Sequence, residues 1–576
     1  MTACTFDDDQ GSQRAPSAHQ TPPGTVSAEG GGSTEQAADA SGSATGPAAG
    51  GHRPSQEQSG CSQAVPGDVA FSWPSGTFAE SISVELSTRL ADVSIRYTVD
   101  GTVPTSSSPI YDGTPLSIDK TTRLRAQAFA GAVPKGAPSA GIYVTRAIDS
   151  DHDVPVIVLD AYAAGRASTQ DRSFQDVAFL GFEPADGMTS LNAEPAVTSL
   201  AAYHAHGQSS VMFAKSSYRI ELRDYAGDDR DCALFGMPKE ADWLLIGPFA
   251  DKTLIHNAFV FSLGKELGLL APRLTLIELF VNVGDRPMTS SNYYGVYQLI
   301  EKIEIQKDRI SLKQLRTTDT TEPEITGGYI FKSEWLATEP PLLPCPEEGE
   351  GCWTDMELVE PQAPNVEQMA YLTSHLKAFN DAMHSAAPSD PVSGYPAYLD
   401  VQSFVDHVII NELTRSMDAY VRSQYFHKQR GGKIVAGPLW DFDLIAGVGM
   451  GASGLGGRAF PNLDTAGWQY ESNASRMTSN WFSVLLADPD FRAQLVARWI
   501  ALRRGLLSEA SIAGRIEMLT QGLENAASRN FLRWQILSQP MVMPFTTPVE
   551  PTWHGQVEYM KNWLVQRAAW LDTQWL

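Results

Sequence analysis

Hydrophobic and polar positions divide the chain into stretches of different period. Between residues 69 and 146, apolar residues alternate with polar ones in SISVELSTR, VSIRYTVDG, PLSI, TTRLRAQAFA and GIYVTRA, with turn-rich segments such as VDGTVPTSSSP between them. A period of two with frequent turns predicts a small antiparallel β-sandwich. A new region opens near Val154. PVIVLDAY reads as a buried strand, SYRIELRDY as the next strand signal and FGMPKEADWLLIGPFADK as a loop; LIHNAFVFSLGKELGLL carries apolar residues at helical spacing. LTLIELFVNV and YYGVYQLIEKIEI follow as paired strands. A Pro/Glu-rich insertion occupies about 337–364, and helices are expected over about 366–384 and 401–416. YVRSQYFHK and GKIVAGPLW then form two strand-like stretches joined by the turn RGGK. Glycine-rich GVGMGASGLGG at 447–457 reads as a mobile flap and leads into a mostly helical C-terminal third. There Trp499, Trp563 and Trp570 fall at core-like spacing. The implied fold class is multidomain: an all-β sandwich over 69–146, then an α+β domain over 152–576 with a helical C-terminal part.

Residues 1–68 are rich in Gly, Ala, Ser and Pro and poor in aromatics, so they cannot bury enough surface to fold and read as a disordered tether. A length of 576 residues exceeds one ordinary domain. The net charge of −24 argues against nucleic acid or an anionic membrane surface as partner and suits an extracytoplasmic protein. No apolar run approaches the roughly 18–20 residues of a spanning helix. The opening Met1-Thr2-Ala3-Cys4 looks like the end of a bacterial lipoprotein signal whose earlier regions are missing. It makes Cys4 a candidate lipid anchor, and the only route to a membrane that the sequence suggests.

The five cysteines include no CxxC pair beside a histidine cluster, which disfavours a zinc site. Cys345 and Cys352 bracket PEEGEG, a loop that a disulfide can close. Cys61 and Cys232 are too far apart for pairing to be read. His204 and His206 share a strand face, while His256 and His407 fall in helices; all four read as surface or packing residues. No Gly-x-Ser-x-Gly elbow points to a hydrolase.

The segment with the most chemistry runs from Asn411 to Asp443. Asp418, Asp441 and Asp443 lie close to the ends of the strand-like stretches, where carboxylates converge, and converging carboxylates hold Mg²⁺ for phosphate chemistry. A lone aspartate on a hairpin is simply solvated; here WDFD sets aromatics beside two acids. Candidate cations lie elsewhere. Lys215 and Arg219 are four residues apart on one strand and hence on one face. Lys252, after Asp251, would begin a helix at which an anion could sit. Glu301 and Lys302 end the YYGVYQLIEKIE strand.

Two families resemble parts of this pattern. IRYTVDGTVPTSSSPIYDGTPLSIDKTTRLRAQAF resembles the chitobiase/β-hexosaminidase C-terminal type of module, an immunoglobulin-like sandwich. The match lies in Tyr97-Thr98, Asp100-Gly101, Pro104-Thr105, Tyr111 and Leu124-Arg125-Ala126. Asp100-Gly101 is expected to make a hairpin turn, and the module to act as a spacer or to bind cell-envelope glycan. KSSYRIELRD, LFGMPKEADWLLIGPFADKTLIHNAFVFSLGKELG, YYGVYQLIEKIE, DAYVRSQYFHK and GPLWDFDLIAG, in that order, resemble the spore-coat protein H (CotH) kinase family. That resemblance implies an atypical protein-kinase-like fold that binds ATP and Mg²⁺ or Mn²⁺ and phosphorylates protein substrates. It places Asp441 as the metal ligand, Asp443 as second ligand or outer acid, and Asp418 at the catalytic-loop position. Ser423 stands where that loop normally carries Asn, and a hydroxyl ligates Mg²⁺ more weakly. Lys215 or Arg219 would contact phosphate, and Glu301 and Lys302 would supply the adenine hinge or an ion pair. A catalytically degenerate surface scaffold is the alternative reading.

Overall fold

The computed structural model describes residues 61–208, 210–335, 337, 339–346, 352–450 and 462–576. Cys4, most of the tether and the glycines at 451–457 lie outside the described residues.

The sandwich has one sheet ordered Gly76–Phe78, Val133–Thr145, Thr122–Ala130, Ser94–Thr98, with the short pairs Val69–Phe71/Leu86–Thr88 and Ile82–Val84/Leu116–Ile118 beside it. The alternating residues of these strands point Val84, Leu124, Ala126 and Tyr143 into its core. Asp100-Gly101 does turn the chain: Asp100 Oδ1 accepts from Thr102 N at 3.0 Å, and Gly101 takes φ +79°. The chain returns antiparallel on strand Ser94–Thr98, Ile110 bridging Arg96 and Tyr111 N donating to Ile95 O at 2.8 Å, before Leu116–Ile118 crosses to pair with Ile82–Val84.

The following region closes into a seven-stranded barrel, ordered Val156–Asp160, Gln175–Phe182, Val197–His206, Ser217–Arg223, Asp242–Ile246, Tyr293–Glu301, Leu274–Asn282. Closure comes from parallel pairing of the first and last, Val156 opposite Glu278. Ile157, Phe179, Ile220, Trp243, Leu279 and Tyr297 fill the interior. Val156 and Val158 face outward onto Ile142 and Val144 of the sandwich, while Leu244, Val296 and Ile300 face the helical core. Burial on both faces explains the unbroken apolar run of PVIVLD. LTLIELFVNV and YYGVYQLIEKIEI do pair, antiparallel, and the sheet they belong to closes into the barrel. Asp242–Ile246, inside the stretch read as a loop, is one of its strands.

Helices His256–Leu267, Val366–Met383 and Val401–Thr414 form where the periodicity placed them. The hairpin Gln424–Lys428/Ile434–Ala436 lies beside Tyr329–Ser333 and Met356–Glu360 in a four-stranded sheet. The last of these strands falls inside the Pro/Glu-rich stretch read as an insertion. Around them, Trp481, Trp499 and Trp563 pack with the C-terminal helices in the largest apolar cluster. Cys345 and Cys352 are joined by a disulfide, and so are Cys61 and Cys232, 171 residues apart. Among the described residues no helix is long and apolar enough to cross a membrane.

Candidate functional site

Two chain segments bring the acids together. Helix Val401–Thr414 begins at Asp400, whose carboxylate accepts from Ser403 N at 2.9 Å, and it stops at Arg415 in the left-handed region, φ 46°. Beyond it Met417 N donates to Leu444 O at 2.9 Å and Ala446 N to Thr414 O at 3.0 Å. These bonds lay the Asp418 turn against the Trp440-Asp441-Phe442-Asp443 segment. Tyr420, Ser423, Asp441 and Ala446 also take positive φ values of 64°, 55°, 64° and 50°. Each costs on the order of 1 kcal/mol for a residue with a β-carbon, and such costs concentrate at functional sites.

The start of helix His256–Leu267 holds the acidic segment from the other side. Asn257 Oδ1 accepts from Phe442 N at 2.8 Å, and its Nδ2 donates to Asp443 Oδ1 and, at 2.9 Å, to Gln298 Oε1 on the barrel. His256 Nδ1 donates to the Asp443 carbonyl at 2.8 Å. Gly264, one face further along, lets Leu439 approach the helix where a β-carbon would collide. His256 is buried, as a packing residue should be, and it also braces the backbone of the acidic segment. The polar pair His256-Asn257, just ahead of the apolar run Ala258–Phe261, was the available signal.

Asp418 is 6 % exposed, and its carboxylate lies 3.9 Å from Arg476 Nη2. Asp441 Oδ2 accepts from Ser423 Oγ at 3.1 Å. Burial, then repulsion from Asp441, pushes the Asp418 carboxyl up to about 7. Burial raises Asp441 too, against the Ser423 hydrogen bond and the charges of Arg422 and Lys332. Asp443 is held well above the usual carboxylate range by burial and by Asp441 and Asp251. Glu334, at the edge of the group, pairs with Arg422 at 2.9 Å and Lys332 at 3.3 Å. Arg422 and Arg476 both lie over the Trp335 ring. None of these last five residues was singled out from the sequence; only tertiary contact joins them to the acids.

The other candidates separate. Lys215 precedes strand Ser217–Arg223 rather than sharing a face with Arg219, which corrects the spacing argument. Lys215 is 1 % exposed, donates to Asn530 Oδ1 at 2.9 Å and lies over the Tyr297 ring. Burial lowers its pKa to about 7, against the opposing pull of Asp251 and Asp443. Arg219 sits on the outer face of the barrel, paired with Asp242 at 2.9 Å, and Lys302 joins the same carboxylate at 3.0 Å. Glu301 grips Arg273 through its backbone N–H and guanidinium. Lys252 donates to the carbonyls of Leu537, Gln539 and Pro548 at 2.6–3.0 Å, clamping a loop. The helix N-terminus after it is already capped, since Asp251 accepts from Thr253 N, Leu254 N and His256 N. That arrangement corrects the expectation of an open anion site.

Among the described residues no group of three or more His, Cys, Asp or Glu has metal-holding geometry. The donor chemistry nevertheless fits Mg²⁺, which takes one or two carboxylates and completes its shell with water and phosphate oxygens. Asp418, buried, and Asp441, half-buried, are such a pair: each raises the cost of the other's charge, the imbalance that a divalent cation relieves.

A family model described as CotH kinase protein matches residues 203–571, and one described as chitobiase/beta-hexosaminidase C-terminal domain matches 73–139. The first spans more than half of the chain, so the chain belongs to the CotH kinase family. No curated protein matches it.

Proposed function

We propose that the chain is an atypical protein-kinase-like phosphotransferase that takes ATP with Mg²⁺ or Mn²⁺ and phosphorylates a hydroxyl of a protein substrate. The carrying observation is the convergence of buried Asp418 with half-buried Asp441 and Asp443, each carboxyl pushed up by desolvation and, for Asp418 and Asp443, by the acidic neighbour Asp441 as well. Charge held this way out of water is a cost to the resting fold and an attraction for a cation. Asp441 would hold the metal, with Ser423 steering its free oxygen and Asp443 braced by Asn257. The bound metal ion would neutralise charge on the nucleotide phosphates. Asp418, poised near neutral pH, would orient the acceptor hydroxyl and take its proton. Lys215 would supply a preorganised positive charge beside Asp443.

Incubation with γ-labelled ATP and Mg²⁺ or Mn²⁺ tests this reading: labelling of protein by wild type, lost in Asp418→Ala and Asp441→Ala, supports it. Equal labelling in all three overturns it. A second reading, a scaffold that binds nucleotide without transferring phosphate, is favoured by Ser423 at the position expected for Asn and by its bond to Asp441. Nucleotide binding that Asp441→Ala abolishes, without any labelling, selects that reading. The two disulfides suit an oxidising, extracytoplasmic setting. We place the protein there, tethered through residues 1–68, with the sandwich as spacer or glycan contact.

A further inference from the structure

The junction of sandwich and barrel holds a hydrogen-bonded relay that takes no part in the acidic site. The chain leaves the sandwich at Arg146 and runs extended through Ser150 to Asp151–His152, which pairs with Thr189–Ser190. Residues two apart on an extended segment present side chains on one side. Ser150 Oγ lies 2.9 Å from His152 Nε2. The opposite nitrogen, Nδ1, lies 2.6 Å from Glu278 Oε2 on the barrel strand Leu274–Asn282. His152 is 1 % exposed and Glu278 fully buried, whereas Ser150 is half-buried and within reach of solvent.

Glu278 is fixed from every side. Arg529 grips it with Nε at 2.8 Å and Nη2 at 2.7 Å, and the Tyr293 hydroxyl donates to its Oε1. Burial works against its ionisation, but the bonds from His152 and Arg529 outweigh burial and hold it down to about 2. An ionised acceptor at Nδ1 keeps the proton on that nitrogen and leaves the Nε2 lone pair for the Ser150 hydroxyl. Orientation and tautomer are what the third member of such a relay supplies, and neither needs an unpaired charge. The Phe280 ring, edge-on to His152, closes one side of the imidazole. A purely structural network would be complete with Glu278, Arg529 and Tyr293; His152 adds a link that ends on the half-buried hydroxyl of Ser150.

We propose that Ser150 is a nucleophile served by His152 as general base and Glu278 as the orienting carboxylate, a second reactive centre that accepts acyl or phosphonyl groups from small activated esters. Ser150 Oγ bonds to the ester carbonyl carbon while its proton passes to His152 Nε2. Collapse of the tetrahedral adduct breaks the bond to the leaving oxygen, which departs as the alcohol with the proton from His152. Water then attacks the acyl-serine by the same base, releasing the carboxylic acid and restoring Ser150. The carboxylate lies 126 residues from the histidine in sequence, so no local motif announces the relay.

The test treats the full chain with a biotinylated fluorophosphonate and maps the adduct by mass spectrometry. One label per chain at Ser150 is expected, absent in Ser150→Ala and slowed about a hundredfold in His152→Gln, the usual contribution of a general base. Because His152 is buried, Ser150→Cys provides an independent measure: its alkylation by iodoacetamide should run at least about tenfold faster than that of glutathione, as a thiol beside an imidazole does. An unlabelled wild type, labelling unchanged in a folded His152→Gln, or a thiol no faster than glutathione each overturns the proposal.

Discussion

Lys215 Nζ donates to Asn530 Oδ1 at 2.9 Å, and the same oxygen accepts from Val296 N at 3.1 Å. One amide of helix Glu524–Arg533 thus fixes a buried ammonium and a barrel strand together, across 315 residues of sequence. Replacing Asn530 with Leu leaves both donors unpaired in a dry setting, so a loss of about 1–3 kcal/mol in urea unfolding is expected. Lys215→Met removes a charge-assisted contact, and ATP affinity measured by calorimetry should fall about tenfold or more, with the melting temperature held or raised.

Asp418 carries a pKa of about 7 in the fold against an ordinary value of 3.8. The folded chain binds this proton more tightly than the unfolded chain. The group's stabilising contribution is therefore present at acid pH and is lost as pH rises from 3.8 to about 7. Thermal melts should show Asp418→Asn gaining on wild type across that window and exceeding it at pH 8. Millimolar Mg²⁺ should raise the wild-type melting temperature at pH 8, and EDTA should reverse the rise; Asp441→Asn should lose most of the response.

Lys252, Arg219 and Lys302 have their charges committed elsewhere. Lys252→Met removes three charge-assisted bonds to the loop before the C-terminal helix, whose carbonyls keep weaker bonds from Gln556 and Thr547, and should cost about 1–3 kcal/mol in unfolding experiments. Nucleotide affinity of that variant, and of Arg219→Ala and Lys302→Ala, should stay within about twofold of wild type, the effect expected of charges remote from the bound phosphates. A tenfold loss in any of them would return that residue to the site.

The Cys61–Cys232 bridge closes a loop of 171 residues that takes in the sandwich and half of the barrel. The double substitution Cys61→Ser/Cys232→Ser should lower stability by about 2–4 kcal/mol. Wild type melted with a reductant should match that variant, and a melting temperature indifferent to both changes would contradict the expectation.

Sequence alone determined the local elements and the order in which they come. The alternation in the sandwich, the helical spacing of LIHNAFVFSLGKELGLL and the RGGK hairpin are properties of neighbouring residues, and they survive in the fold because tertiary burial agrees with them. The acids were visible for the same reason, as three carboxylates set among aromatics within one short stretch. Tertiary structure decided what near neighbours cannot encode. Barrel closure is set by Val156 meeting Glu278, a pairing between distant strands. The commitment of Arg219, Lys252, Glu301 and Lys302 to ion pairs and carbonyls depends on partners that lie across the fold. His256, Asn257 and Glu334 reach the acids only through packing, as Ser150 and His152 reach Glu278. A charge declares its type in the sequence; what it does depends on whichever group the fold places within about 3 Å of it.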